Sequence, residues 1–191
     1  IVGYVLLFAL LLFSALIASK TEQIMHPEKY LTKRDNPMEV ILTYAMVQEV
    51  VGTDWKLADQ DVLGEFNIYV LLKEFIQESE AVKASEGWGG DRYLLLENQA
   101  NGDSAFIFFS RWDDEKEADE FFASATKLME KRYGGKRQLS MTQDLRNTTA
   151  WKSEQSSGIW VQRDEKNVLL MEGLPEGKLK ELSVRLLKPS H

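Results

Sequence analysis

Ile1 to Ser19 reads IVGYVLLFALLLFSALIAS, without one charged side chain. At a helical rise of roughly 1.5 Å per residue such a run spans about 28 Å, close to the roughly 30 Å hydrocarbon core of a bilayer. It is longer than the roughly 7 to 15 apolar residues of a signal-peptide core. A retained membrane anchor is therefore expected, with a cleaved signal ending near Ala15, Ala18 and Ser19, or a buried core helix, as the alternatives. On a lone membrane helix Val5, Leu6, Phe8, Leu12, Phe13 and Leu16 would meet lipid and neighbouring helices. The sequence has no Cys, so neither a lipidated cysteine nor a disulfide is available to it.

The 191 residues carry 28% charged side chains and a formal net charge of −7, with Lys and Arg interspersed among the acids. No basic stripe exists to hold phosphates, so nucleic acid is not an expected partner. Membrane lipid and other membrane protein subunits are. After the anchor, residues 20–44 read as an extended connector, because Pro27 and Pro37 interrupt a polar stretch with no sustained period. Met38 to Leu42 could add a short strand. Residues 45–191 have the size and apolar content of one globular domain.

Within that domain, Asp59 or Asp61 could cap a helix running to about Val82, apolar over much of its circumference. Asp91 to Glu97 and Ser104 to Trp112 are β-rich runs joined through Asn98 to Asp103, which holds the turn pair Asn101-Gly102, and they predict a hairpin. Asp113 or Asp114 then caps a helix to about Tyr133, with Ala118, Phe121, Phe122, Ala125, Leu128 and Met129 recurring every three or four residues. Three short strands follow at Ala150 to Glu154, Ile159 to Arg163 and Val168 to Glu172. Pro175 opens a closing helix. The order predicts an α+β domain, an antiparallel sheet covered by helices, with an α/β/α sandwich as its fuller form.

Chemistry-bearing patterns are sparse. Two histidines, His26 and His191, and no cysteine leave no recognisable zinc or copper spacing. The acidic run Asp113, Asp114, Glu115, Glu117, Asp119 and Glu120 lacks the alternation and central Gly of a calcium loop and suits a helix N-terminus instead. Ser104 has no histidine base nearby in sequence. Five tryptophans, at 55, 88, 112, 151 and 160, read as core and interface anchors. The most unusual string is Gly87, Trp88, Gly89, Gly90, Asp91 and Arg92. Read as an anion-binding loop, it lacks the Lys-Ser/Thr of a phosphate loop and precedes a strand. Read as a structural turn, its glycines allow positive φ, Trp88 packs inward, and Asp91 and Arg92 tie the loop by local hydrogen bonds. The structural reading is preferred, and no catalytic residue, metal ligand or cofactor is expected.

Three segments, TEQIMHPEKYL from Thr21, GWGGDRY from Gly87 and WDDEKEADEFF from Trp112, resemble the C-terminal portion of a family of uncharacterised exported bacterial proteins whose longer members look like zinc metallopeptidases. The resemblance covers roughly residues 21 to 125. The peptidase-like His-Glu motif of those relatives lies upstream of the matching region, so the resemblance implies export and carries over no catalytic residue. The strands and closing helix also resemble the PsbP/Mog1 type of α/β/α sandwich in topology. The expected function is that of a non-enzymatic, single-pass accessory subunit of a larger membrane complex, with photosynthetic and respiratory complexes as candidates. The alternative is an exported enzyme or regulator whose acids, for example Asp91, Glu97 and Asp103, form a site around the Gly-rich turn. Lys20, Lys29, Lys33 and Arg34 after the anchor would keep the domain in the cytoplasm on a literal charge rule. The resemblance implies the opposite side, a periplasmic domain on an inner-membrane anchor.

Overall fold

The computed structural model describes residues 38–133, 147–151 and 158–187. The Ile1–Ser19 segment, the connector up to residue 37, His26 and His191 lie outside the described residues. Among those described, the elements run α1 (Tyr44–Val51), β1 (Trp55–Asp61), α2 (Gly64–Lys73), α3 (Glu78–Ser85), β2 (Trp88–Asn98), β3 (Ser104–Trp112), α4 (Glu115–Tyr133), β4 (Thr148–Trp151), β5 (Ile159–Asp164), β6 (Asn167–Glu172) and α5 (Glu176–Leu186). The six strands form one antiparallel sheet in the order β1-β2-β3-β6-β5-β4. The domain is α+β, two three-stranded meanders meeting at the β3–β6 seam.

Strand alternation sorts the side chains onto two buried faces. Tyr93, Phe106, Phe108, Val161, Val168 and Leu170 join the apolar sides of α2, α3 and α4 in one core. Leu94, Leu96, Ala105, Ile107, Leu169 and Met171 join those of α1 and α5 in the other. The sheet is thus sandwiched between helices. The first core is built on aromatic contacts: Trp112 and Phe121 stack at 4.6 Å between ring centres, and Tyr93, Phe106 and Phe108 run in a row at 5.6 and 6.3 Å. All five tryptophans are buried, which makes them core anchors.

The predicted hairpin is β2–β3, with Leu94 opposite Ile107 and Glu97 opposite Ser104. The predicted helix from Asp113 or Asp114 is α4, and its start is a capping box: Glu117 N–H donates to Asp114 Oδ1 at 2.9 Å, and Asp114 N–H donates back to the Glu117 carboxylate at 3.2 Å. Two further acids of that run pair with cations. Asp119 meets Arg163 at 2.6 Å and Glu120 meets Lys83 at 2.8 Å, so the run fastens α4 to β5 and α3.

Three expectations need correction. The stretch from Trp55 to Asp61 is an edge strand, and α1 precedes it, where the sequence reading placed no element. The helix expected from Asp59 or Asp61 to about Val82 begins at Gly64 and is broken at residues 74–77, where Phe75 and Ile76 N–H both turn back to Leu72 O and Ile76 is tucked into the core. Lys131, reaching from α4, donates to Phe75 O at 2.6 Å and closes that end. Met38 to Leu42 is not a strand. Met38 N–H makes a backbone bond of 2.6 Å to Gly89 O, while Leu42 is buried in the second core.

The seat for Met38 explains one glycine. A Cβ at Gly90 would lie 2.3 Å from Met38 O, a backbone atom that cannot swing aside. Replacement of Gly90 by Ala is therefore expected to displace the entering chain and to destabilise the domain by about 1–3 kcal/mol, the usual cost of overpacking. Urea unfolding of Gly90→Ala against the native chain measures this; an unchanged midpoint would show that the segment around Met38 contributes nothing to the fold.

Candidate functional site

The glycine-rich string lies at the start of β2, and its centre is Asp91. This carboxylate is buried between the sheet and the first turn of α2. It accepts N–H bonds from Leu63 at 2.7 Å and Gly64 at 2.8 Å, and a third from the Trp88 indole at 2.8 Å. Leu63, the N-cap residue of α2, supplies no capping side chain. Asp91 supplies the cap from 27 residues away in sequence, satisfying helix N–H groups that would otherwise be orphaned and placing negative charge at the positive end of the helix. Beside it, Tyr93 OH donates to Asp59 on β1 at 2.7 Å, and Asp61 accepts from Val62 N–H at 2.8 Å. The two residues expected to cap the helix thus serve the β1 edge and the turn after it.

Burial raises the Asp91 carboxyl to about 6 even though its three hydrogen bonds oppose the shift, and the nearby Asp61 charge pushes in the same direction as burial. Burial also moves the Tyr93 hydroxyl upward, reinforced by its bond to Asp59. Gly87, at φ 72°, precedes this junction; a Cβ there would overlap the Glu117 carboxylate of α4, whose pKa burial likewise raises. Of the string, then, only Gly87 has a positive φ. Trp88 is buried, Gly89 and Gly90 clear space for Met38, Asp91 makes long-range bonds, and Arg92 points to the opposite face, across from Phe109 in the register.

A second polar cluster closes the far end of the same core. Glu172 on β6, nearly buried, accepts from Tyr133 OH at 2.6 Å and pairs with Arg132 at 3.3 Å, tying the last turn of α4 to the central strands. Burial raises the Tyr133 hydroxyl. Between this cluster and α2 lies a cavity of about 30 Å³ lined by Leu63, Ile68, Leu72, Phe108, Phe121 and Arg132 among others. That is room for about one water, and its lining is apolar apart from Arg132.

The acids Asp91, Glu97 and Asp103 do not converge. Asp91 and Glu97 share a face of β2 but sit six residues apart, about 20 Å at strand rise, and Asp103 is in the β2–β3 turn. Among the described residues no group of His, Cys, Asp and Glu is placed to hold a metal ion, and no helix is long and apolar enough to cross a membrane. Val5, Leu6, Phe8, Leu12, Phe13 and Leu16 lie outside the described residues. The functional-site feature that sequence reasoning missed is the capping of α2 by Asp91, which no local spacing could signal.

The profile of a family described as "Domain of unknown function (DUF8575)" matches residues 50–183, from the end of α1 to within α5 and spanning the whole sheet. The chain belongs to this family. No curated protein and no solved structure matches it.

The Asp91 junction makes two measurable demands. Its carboxyl is raised in the folded chain relative to the ordinary value of 3.8, so the folded state holds the proton more tightly. The stability from this group is fully present below about pH 4 and is lost as pH rises through about 6, on the order of 3 kcal/mol. The Trp88 indole N–H resonance should titrate with a midpoint near pH 6; no inflection between about pH 5 and 7 would contradict the burial argument. Asp91→Asn turns an N–H donor toward the donors of Leu63, Gly64 and Trp88, and is expected to cost about 1–3 kcal/mol at neutral pH in urea unfolding and to remove this pH dependence.

Proposed function

We propose that the chain is a non-enzymatic accessory subunit, held in a bacterial inner membrane by the Ile1–Ser19 segment, with its α/β/α domain on the periplasmic side docking onto a larger membrane complex. The observation that carries this reading is the uncharged run itself, whose length matches a bilayer core. Support also comes from the use the domain makes of its buried polar groups. Asp91 is engaged by three donors and Glu172 by Arg132 and Tyr133, so each carboxylate serves as a fastening between a helix and the sheet. The resemblance of GWGGDRY and WDDEKEADEFF to exported bacterial proteins supports the periplasmic side, and photosynthetic and respiratory assemblies are the complexes to test first. The same resemblance motivates the second reading, an exported enzyme or regulator of metallopeptidase ancestry.

Mild detergent extraction of a tagged full-length chain, followed by affinity purification, should recover it in the membrane fraction with stoichiometric partner subunits. Replacing Phe8, Leu12, Phe13 and Leu16 together by Ala keeps the segment apolar but trims the side chains available for helix packing; it should leave the chain membrane-bound and lose the partners. A native chain recovered alone would refute the accessory reading, and bound metal together with loss of phenotype on neutralising Asp91, Glu97 or Asp103 in a folded chain would favour the enzymatic one. Protease added to intact spheroplasts should digest the domain from Thr21 onward; protection until the membrane is opened would place it in the cytoplasm.

A further inference from the structure

The β2–β3 turn carries a chemistry that neither the fold nor the docking reading uses. The sequence contains a single Asn-Gly pair, Asn101-Gly102, and it lies at the exposed tip of this hairpin. Asn67, Asn98, Asn147 and Asn167 are each followed by a larger residue, Ile68, Gln99, Thr148 and Val168. Side chains at those following positions crowd the backbone nitrogen, whereas Gly102 leaves it open.

The turn also orients the Asn101 amide. Asp103 N–H donates to Asn101 Oδ1 at 3.0 Å, and Asn101 Nδ2 donates to the Asp103 carboxylate at 2.8 Å, so both ends of the side-chain amide are held by one residue. An N–H on that carbonyl oxygen polarises Cγ and stabilises negative charge developing on the oxygen, as preorganised donors do for acyl-transfer intermediates. The Gly102 nitrogen, immediately next in the chain, is the nearest backbone nucleophile on the C-terminal side. In the resting turn its N–H donates to Asn98 O at 2.8 Å. That bond must open before the nitrogen can attack, so exchange of the Gly102 amide with solvent sets the upper limit of the rate.

We propose that Asn101 is a site of spontaneous self-modification, at which the Gly102 backbone nitrogen displaces the side-chain amide and Asp103 is the positioning residue. The Gly102 N–Cγ bond forms, the Cγ–Nδ2 bond breaks, and the Gly102 amide proton leaves with Nδ2 as ammonia. One water then opens the resulting succinimide at either carbonyl, giving aspartate or isoaspartate at position 101; no oxidant or reductant takes part. The product places a second carboxylate against Asp103. In the isoaspartate form the backbone is longer by one carbon, which breaks the register of the Gly102 to Asn98 bond. Gln99 N–H, bonded to Asp54 O at 2.9 Å, couples the tip to the start of β1, so the change reaches the edge of the sheet.

The test is peptide mapping by mass spectrometry of the folded full-length chain, aged in neutral and in mildly alkaline buffer. Asn101 should convert, faster at the higher pH, while Asn67, Asn98, Asn147 and Asn167 stay intact. Asp103→Ala keeps the backbone N–H on Asn101 Oδ1 but removes the carboxylate that fixes Nδ2, and so the orientation of the amide; it should slow conversion several-fold when Gly102 amide exchange is matched. Gly102 has a φ of 74°, so Gly102→Ala strains the turn; Asn101→Gln, which must close a larger ring, serves as the second variant and should be inert on the same timescale. Persistence of Asn101 while another asparagine converts, or an unchanged rate in Asp103→Ala, would overturn the proposal.

Discussion

A buried carboxylate with three N–H donors around it organises the first core of this domain. Asp91, near the beginning of β2, joins that strand to the beginning of α2 and fastens the indole of Trp88, the first residue of the strand. Such a bond set is unforgiving: each N–H left without its acceptor costs roughly 1–3 kcal/mol, and the charge itself is held against its desolvation. The placement of α2 over the sheet, the seating of Leu63 at the small apolar cavity, and the approach of Met38 over Gly89 and Gly90 all lie within a few residues of this one group.

Elsewhere the same economy recurs with cations. Lys131 of α4 donates to Phe75 O after α2, and Lys178 of α5 donates to Val50 O of α1 at 2.6 Å. On each face of the sheet a longer helix thus closes the exposed carbonyls at the end of a shorter one, where a positive charge also suits the dipole. Arg185 on α5 pairs with Glu49 on α1 to complete the outer layer.

What was legible in the sequence is what is encoded locally. The β2–β3 hairpin was visible because alternation flanks an Asn-Gly turn, and α4 because Asp113 or Asp114 offers a cap ahead of a three-and-four apolar spacing. What escaped depends on distant residues. Strand β1 alternates only weakly, Trp55 and Leu57 followed by acids, and is fixed by pairing with β2 across a bulge at Ala58. The break between α2 and α3 carries no Gly or Pro, and is imposed by burial of Ile76 and the reach of Lys131. The site shows the same division. GWGGD stood out by composition, but its meaning required Met38, Leu63 and Gly64 to be in place.

The strand order has a consequence for how the chain is made. Each meander is assembled from neighbours in sequence, whereas the seam between them pairs Phe106 with Glu172 and Arg111 with Asn167, contacts 66 and 56 residues apart. During synthesis from the N-terminus, β3 must wait for β6 with one side of its backbone unpaired and with Phe106 and Phe108 lacking their cover from Leu170 and Val168. Domains generally fold as units, and an open aromatic strand is the kind of intermediate that recruits another chain in place of its own. Closure of the central seam is therefore expected to come late in folding, and until then a nascent copy is open to chaperones or to pairing with its neighbours.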